Sequence, residues 1–292
     1  GSGDARLSGT YAGGWRFPEL REPVVAPSTM VSSNSALASA AGAEVMRAGG
    51  NAVDAAVAVG FALAVTYPFA GNIGGGGFMV IRMADGRTAA LDYREVAPLA
   101  ATRNMYVDSA GKLTELRLTG HLASGVPGAV AGMAAALERY GSKSLAEVMA
   151  PAIRLARDGF VVDSALYGSL RGAQRRLCQF AGCATFYPNG AAPAPGSTLR
   201  QPELARSLQL IAEQGPKAFY DGPVGEALVQ EMQLGGGIIT REDLRRYTPR
   251  WREPILSTYR GHTLITMPPA SSGGLTMSQT FNILERFAPL PP

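Results

Sequence analysis

The chain has 292 residues, of which 46% are hydrophobic and 17% are charged, values typical of a globular protein with a sizeable core. The net charge is only +4, and the arginine clusters carry no interleaved aromatics and no nucleic-acid motif. The longest apolar run, residues 52–67, contains Asp54 and is too short to span a bilayer. We therefore expect no nucleic-acid partner and no membrane span.

Residues 1–30 read as an irregular lead-in, and the first predicted elements follow directly. Residues 31–34 predict a short strand, at whose end Asn34 is placed to cap a helix over residues 35–48. Two glycines and a capping asparagine separate that helix from a second one, residues 52–66. Because residues 52–66 are apolar on every face, we expect the second helix to be buried in the protein interior.

The next segment is the most informative part of the chain. Four consecutive glycines, residues 74–77, leave no Cβ on the backbone, so another chain or a ligand can approach it closely. Two β-runs follow, residues 78–84 and 87–93, and the Asp-Gly turn between them predicts a hairpin. Arg94 then lies at the far end of the second strand, level with the glycines. Because a guanidinium binds a carboxylate through two parallel bonds, this pairing indicates recognition of a small acidic substrate.

Each of these signals also has an ordinary structural explanation. The glycine run precedes a strand and not a helix, so it does not follow the order of a dinucleotide-binding site. On its own it is expected to be a closely packed bend under the buried helix. A lone arginine such as Arg94 is expected to pair with a neighbouring carboxylate, here Glu95 or Asp92.

The rest of the chain is rich in helix signals. A helix is expected from residues 125–128 to Tyr140, and a capping box at Ser144 predicts another, which restarts at Pro151 and ends at Gly159. Residues 182–198 are rich in turns and are the best candidate for a boundary or an exposed loop. Residues 258–267 are strand-like and lead into the loop 268–274, whose serines are capping candidates first and ligand contacts second. Further helices are expected over residues 202–214, 224–233, 241–247 and 276–287.

Residues for metal binding or nucleophilic catalysis are sparse. The only histidines, His121 and His262, have no metal partner at i+3 or i+4, and a Ser-His-Asp triad built on either has no motif support. Cys178 and Cys183 lack the neighbours of a zinc site, and they either close a small disulfide loop or remain free thiols. We predict no metal site and no cofactor.

Seven segments together resemble the large subunit of the γ-glutamyltransferase (glutathione hydrolase) family, and the resemblance covers nearly the whole chain from Val24 onward. These segments are residues 44–56, 73–79, 92–98, 125–128, 151–160, 237–244 and 267–274. The resemblance implies an α+β fold, the four-layer αββα sandwich of N-terminal-nucleophile hydrolases, made as one precursor that cuts itself into two subunits. Residues 31–292 are then the large-subunit portion of a single domain shared with a small subunit.

The resemblance also implies where the chemistry takes place. In the family, the arginine of an Asp-aromatic-Arg-Glu motif binds the α-carboxylate of the γ-glutamyl group, and only Arg94 occupies that position here. The nucleophile is a threonine at the start of the small subunit, whose own α-amine serves as the base. Since no such threonine start occurs before Pro292, we expect no catalytic residue in this chain and no activity of the chain alone.

The expected function is therefore the large subunit of an enzyme that cleaves γ-glutamyl amides such as glutathione through a threonine acyl-enzyme. The acyl group passes to water or to an amino-acid or peptide acceptor. A cephalosporin (glutaryl) acylase and a poly-γ-glutamate depolymerase are alternatives within the superfamily, and a non-catalytic carboxylate-binding module is an alternative of another class. The family also implies a periplasmic or secreted protein, although the chain opens without an apolar signal segment.

Overall fold

The computed structural model describes residues 24–287. Residues 24–30 belong to one unit, in which they are exposed and form no helix or strand, and residues from Val31 onward belong to another. The lead-in predicted for residues 1–30 falls for the most part on residues 1–23, which lie outside the described residues. The predicted division of the chain therefore stays a prediction.

The described part of the chain is α+β, with eleven α-helices and seven strands. The helices are α1 (Ala36–Arg47), α2 (Ala52–Thr66), α3 (Ala129–Tyr140), α4 (Leu145–Asp158), α5 (Ser164–Leu177), α6 (Cys183–Phe186), α7 (Pro202–Gln214), α8 (Lys217–Tyr220), α9 (Pro223–Leu234), α10 (Arg241–Arg246) and α11 (Gly273–Leu284). The strands are β1 (Phe78–Arg82), β2 (Thr88–Asp92), β3 (Phe160–Val161), β4 (Thr198–Leu199), β5 (Arg250–Arg252), β6 (Ile255–Tyr259) and β7 (His262–Thr266). All strand pairs are antiparallel, in the orders β1-β2-β5, β3-β4 and β6-β7.

Helix α2 lies at the centre of the main hydrophobic core, as its apolar sequence predicts. Its N-terminus is a capping box: Asn51 accepts from the N–H groups of Val53 and Asp54 at 2.8 and 3.1 Å, and the Asp54 carboxylate accepts from the Asn51 N–H at 2.6 Å. The helix packs against α1, α3 and α4, and Gly60 lies directly against the sulfur of Met133 in α3. Neither α2 nor any other helix among residues 24–287 is long and apolar enough to cross a membrane.

Two helix predictions were wrong in detail. Ser35, and not Asn34, caps α1, since its hydroxyl accepts from the Ala38 N–H at 3.3 Å, and residues 31–34 form no strand. Adjacent serine and asparagine are equally good caps, so the pattern does not separate them. Helix α4 does not restart at Pro151 but continues through it. The missing N–H costs one hydrogen bond, and burial of the apolar face of α4 offsets that loss.

The strand-like segment 258–267 is a hairpin and not one strand. Strands β6 and β7 meet at Arg260 and Gly261, whose φ values are +48° and +80°. Two consecutive residues of positive φ form a two-residue turn whose twist matches the right-handed twist of the flanking strands. The sequence conceals this turn because arginine rarely adopts positive φ.

A disulfide joins the end of α5 to the start of the turn-rich region 182–198. Cys178 and Cys183 form a disulfide, so the first of the two alternatives for these cysteines holds. Between them, Phe180 contacts the ring of His121, with ring centres 5.7 Å apart. The loop that this bond closes therefore contacts the short helical turn 121–123 through Phe180.

Candidate functional site

The hairpin places Arg94 beside the glycine run, as its predicted register requires. Phe78 lies opposite Asp92, and the ladder extends one residue beyond the strands through two hydrogen bonds between Gly77 and Tyr93, at 3.0 and 3.3 Å. Arg94 is the next residue after this pair. The prediction that Arg94 and the glycine run lie together in space is confirmed.

The glycine run contacts other main chain on two sides. A Cβ on Gly76 would lie 2.9 Å from the main-chain nitrogen of Glu95, which is closer than real Cβ atoms come to their neighbours. On another side, the Gly75 carbonyl accepts from the N–H groups of Gly128 and Ala129, both at 2.8 Å, where α3 begins. The glycines thus join the end of the hairpin to the start of α3, and close packing alone requires glycine at position 76.

The main chain of Arg94 is bonded to side chains at both of its polar groups. Its N–H donates to Oδ1 of Asp92 at 3.2 Å, and its carbonyl accepts from the Tyr247 hydroxyl at 2.9 Å. Two residues further on, Val96 pairs with Val126 through two main-chain hydrogen bonds. The backbone that carries Arg94 is therefore fixed on both sides.

The guanidinium itself is at the surface. The Arg94 side chain is 54% exposed, its Nε lies 3.2 Å from Oε2 of Glu95, and its Cζ lies 5.5 Å from the ring centre of Phe78. Of the two carboxylates expected to pair with it, Glu95 does so, whereas the carboxylate of Asp92 pairs with Arg252. Exposed ion pairs contribute about 0–1 kcal/mol, so a ligand carboxylate can replace Glu95 at small cost.

Asp92 forms a partly buried ion pair in this region. It is 8% exposed, and its Oδ2 accepts from Nε and Nη2 of Arg252, both at 2.9 Å. Arg252 lies on β5, opposite Ala90 of β2. The pair therefore spans 160 residues of sequence and ties the end of β2 to a strand that the sequence did not predict.

Two stacked tyrosines support the same backbone. The rings of Tyr220 and Tyr247 are 5.7 Å apart and inclined by 13°, and the Tyr220 hydroxyl donates to the Pro127 carbonyl at 2.9 Å while accepting from the Ala131 N–H at 3.2 Å. Burial raises the pKa of both tyrosines, which keeps their hydroxyls protonated as donors. Sequence reasoning missed Tyr247 and Arg252, because nothing in their local pattern distinguishes them from a helix end and a polar connection.

The other predicted candidates have local partners of their own. In the loop 268–274, Ser271 accepts from the Gly273 N–H at 3.3 Å, and Ser272 precedes α11 without capping it through its side chain. His121 pairs with Glu231, Nε2 to Oε1 at 2.8 Å. Within residues 24–287, no hydrogen bond or ion pair links these groups to Arg94.

Two sizeable cavities are lined by residues other than Arg94. One of about 780 Å³ is lined by the start of α1, by residues 66–69 and by the segment from Gly159 to Ser169. Another of about 720 Å³ shares Phe69 and Ser169 with it and extends along α5. Arg94 lines neither cavity.

A pair of glycine variants tests how tightly the backbone beneath Arg94 is held. A Cβ on Gly132 of α3 would overlap Cβ and Cγ of Tyr93, atoms that cannot swing away, whereas Gly172 of α5 has no atom within 4 Å of its Cβ position. We expect Gly132→Ala to lower stability by about 1–3 kcal/mol. Gly172→Ala should raise it by about 0.4–1 kcal/mol. Melting temperatures of the full-length protein would contradict this expectation if both variants shifted in the same direction.

Comparisons with known proteins agree on one family. The model of the family described as Gamma-glutamyltranspeptidase matches residues 38–291. The chain is similar to the glutathione hydrolase proenzyme of Escherichia coli (strain K12), with 50% identity over 272 residues, 92% of this chain and 47% of that protein. It thus spans about half the length of the curated relatives it matches, and the word proenzyme implies a precursor that is cleaved.

Solved structures agree with the sequence comparisons. The chain is similar to gamma-glutamyltranspeptidase from Helicobacter pylori, with a TM-score of 0.87 and 42% identity over 92% of this chain and 77% of that one. It is also similar to cephalosporin acylase from Bacillus halodurans, with a TM-score of 0.86 and 32% identity over 95% of this chain and 52% of that one. The resemblance and the α+β fold class predicted from the sequence are confirmed.

Proposed function

Because the chain belongs to the gamma-glutamyltranspeptidase family, we propose that it is the large-subunit portion of an enzyme that cleaves γ-glutamyl amides such as glutathione. One observation carries the proposal for this chain: a half-exposed guanidinium that stands on a fixed backbone at the end of a hairpin and, among residues 24–287, forms an ion pair only with the replaceable Glu95. In this proposal Arg94 binds the α-carboxylate of the γ-glutamyl group and fixes the distance from that end to the scissile amide.

The reactive hydroxyl comes from a second polypeptide of the same precursor. A threonine at its start attacks the γ-glutamyl carbonyl, the amine leaves, and water or an amino-acid or peptide amine releases the acyl group from the threonine. Binding through Arg94 also requires that polypeptide, since an exposed guanidinium binds a carboxylate weakly and a covered one binds it well. The site is thus shared between two chains.

Apolar side chains on the surface support a covering partner. Leu37, Phe69 and Val161 border the 780 Å³ cavity and are 38%, 73% and 62% exposed. Exposed apolar groups around a concavity are typical of a surface that another chain covers. By the same family reasoning, the protein is periplasmic or secreted.

The decisive experiment uses the protein produced from its full-length gene. Mass spectrometry should detect a second polypeptide that starts with threonine, and the purified protein should release p-nitroaniline from γ-glutamyl-p-nitroanilide. Added glycylglycine should accelerate the release if amines compete with water. A protein that binds γ-glutamyl compounds but never releases p-nitroaniline would instead be a carboxylate-binding module without catalysis.

The similarity to a cephalosporin acylase favours one second candidate, hydrolysis of a glutaryl side chain. A glutaryl group keeps the distal carboxylate and lacks the α-amino group, so Arg94 can bind either substrate. Comparing kcat/KM for glutaryl-p-nitroanilide and γ-glutamyl-p-nitroanilide separates the two. A clear preference for the glutaryl compound would assign the protein to the acylases.

A further inference from the structure

We propose that Tyr247 and the Asp92–Arg252 ion pair are positioning residues for Arg94, and that substrate affinity depends on them although none of the three touches the substrate. This inference rests on the proposed role of Arg94 as the carboxylate anchor. It adds the residues that hold the anchor in place.

The backbone at Arg94 lacks the support that a strand provides. The β1–β2 ladder ends with the Gly77–Tyr93 pair, and regular pairing resumes only at Val96 with Val126. In between, the hydrogen bonds of the Arg94 main chain go to Asp92 and Tyr247 side chains. The Arg94 guanidinium must keep one orientation to bind a carboxylate. The orientation of the backbone that carries it is set by these two side chains.

Tyr247 is built to act on this carbonyl. It is 8% exposed, its ring is stacked on Tyr220, and among residues 24–287 the only hydrogen-bond partner of its hydroxyl is the Arg94 carbonyl. A Cβ on Gly128 would overlap both the Tyr247 hydroxyl and the Tyr93 carbonyl, so no side chain fits between them. The hydroxyl therefore reaches Arg94 through a gap that a glycine keeps open.

Asp92 binds the N–H group of Arg94, and its carboxylate does not compete with the substrate for the guanidinium. Its Oδ1 receives the Arg94 N–H, while its Oδ2 is occupied by Arg252. Without Arg252, the Asp92 carboxylate would be free to attract the guanidinium of Arg94, two residues away. By binding Asp92, Arg252 thus helps to keep the Arg94 guanidinium available for an incoming carboxylate.

The test is Tyr247→Phe in the full-length protein, which removes one hydroxyl and keeps the ring stack. We expect KM for γ-glutamyl-p-nitroanilide to rise about 5- to 10-fold, the effect of one hydrogen bond, with kcat changed less than about 2-fold. For γ-aminobutyryl-p-nitroanilide, which lacks the α-carboxylate, kcat/KM should not change. A general loss of structure would instead lower activity on both substrates.

Tyr187→Phe is the matched control. Its hydroxyl also donates to a carbonyl from a buried ring, to Leu170 at 2.7 Å, far along the chain from Arg94. It should lower the melting temperature about as much as Tyr247→Phe and leave both KM values unchanged. If Tyr247→Phe prevents folding or cleavage of the precursor, Asp92→Asn is measured in the same way. It weakens the support of Arg94 on the side of its N–H group and should raise the same KM.

A double-mutant cycle separates this inference from the proposed function. In an Arg94→Ala background, Tyr247→Phe should have no further effect on KM, because the two residues act through one interaction. If Arg94→Ala leaves KM unchanged, the anchor role itself is wrong. If Arg94→Ala raises KM and Tyr247→Phe does not, or if the two effects are additive, Arg94 keeps its role as the anchor. The positioning role of Tyr247 and the Asp92–Arg252 pair is then wrong.

Discussion

Arg94→Ala should raise KM for γ-glutamyl-p-nitroanilide by at least about 30-fold, because removing one partner of a covered charge pair costs about 2–5 kcal/mol. The expected loss is large although Arg94 is 54% exposed in this chain, because the proposed second subunit covers the site and the substrate brings its own carboxylate. Some loss of kcat should accompany it, since the anchor also aligns the scissile amide.

Arg94→Lys should recover only part of this loss. Lysine keeps the positive charge but cannot form two parallel bonds to one carboxylate, and its shorter reach changes the distance to the scissile amide. We expect its KM to lie between those of the wild type and Arg94→Ala. The preference for γ-glutamyl- over γ-aminobutyryl-p-nitroanilide should follow the same order, since only the first substrate has an α-carboxylate.

The same hairpin offers a matched control at its other end. Arg87 pairs with Asp85, Nε to Oδ2 at 2.7 Å, and its side chain is 66% exposed, so its setting closely resembles that of Arg94 beside Glu95. Arg87→Ala should leave KM and kcat unchanged. An unchanged KM in both alanine variants would mean that Arg94 is an ordinary surface charge.

The sequence was sufficient to place Arg94 but not to explain how it is held. The Asp-Gly turn sets the hairpin register, and the register alone brings residue 94 level with the glycines. Tyr247 and Arg252 reach the same point from 153 and 160 residues away. Such contacts depend on how α10 and β5 pack, and a three-residue strand between Pro249 and Glu253 gives no periodic signal.

The errors in the predicted elements have a similar origin. Local patterns placed α2, the β1–β2 hairpin and α3 correctly, because each has a strong boundary signal of its own. They failed at Pro151 and at Arg260, where the burial of α4 and the pairing of β6 with β7 outweigh the preference of a single residue. The proposed covering partner is outside the reach of any local pattern.

The second large effect is expected at Asp54, which is 0% exposed and accepts four hydrogen bonds. Its Oδ2 accepts from the Asn51 N–H at 2.6 Å and the Ser142 hydroxyl at 2.7 Å, and its Oδ1 accepts from the N–H groups of Ser142 and Lys143 at 2.8 and 3.0 Å. The carboxylate thus ties the start of α2 to the connection between α3 and α4. In Asp54→Asn, one of the two accepting oxygens becomes an NH₂ group that faces hydrogen-bond donors. We expect this change to lower the free energy of unfolding by about 2–4 kcal/mol.

This contribution should depend on pH in a defined direction. Burial disfavours the charged form of Asp54, but the hydrogen bonds from Ser142, Asn51 and Lys143 outweigh burial and lower its pKa below the ordinary value. A carboxylate with a lowered folded-state pKa stabilises the protein above its unfolded pKa and loses that contribution as the pH falls toward the folded pKa. The stability difference between wild type and Asp54→Asn should therefore be full near neutral pH and shrink below about pH 4.

Asp108→Asn is the control that isolates this effect. Asp108 is exposed and also accepts from main-chain donors, the N–H groups of Ala110 and Lys112, both at 2.9 Å and both through Oδ1. An asparagine oxygen can accept both bonds, so the change should stay within about 0.5 kcal/mol. Urea unfolding of both variants above and below about pH 4 decides the matter. If Asp54→Asn were no more damaging than Asp108→Asn, or if its cost were the same at every pH, the ionised carboxylate would not be what holds α2 to the α3–α4 connection.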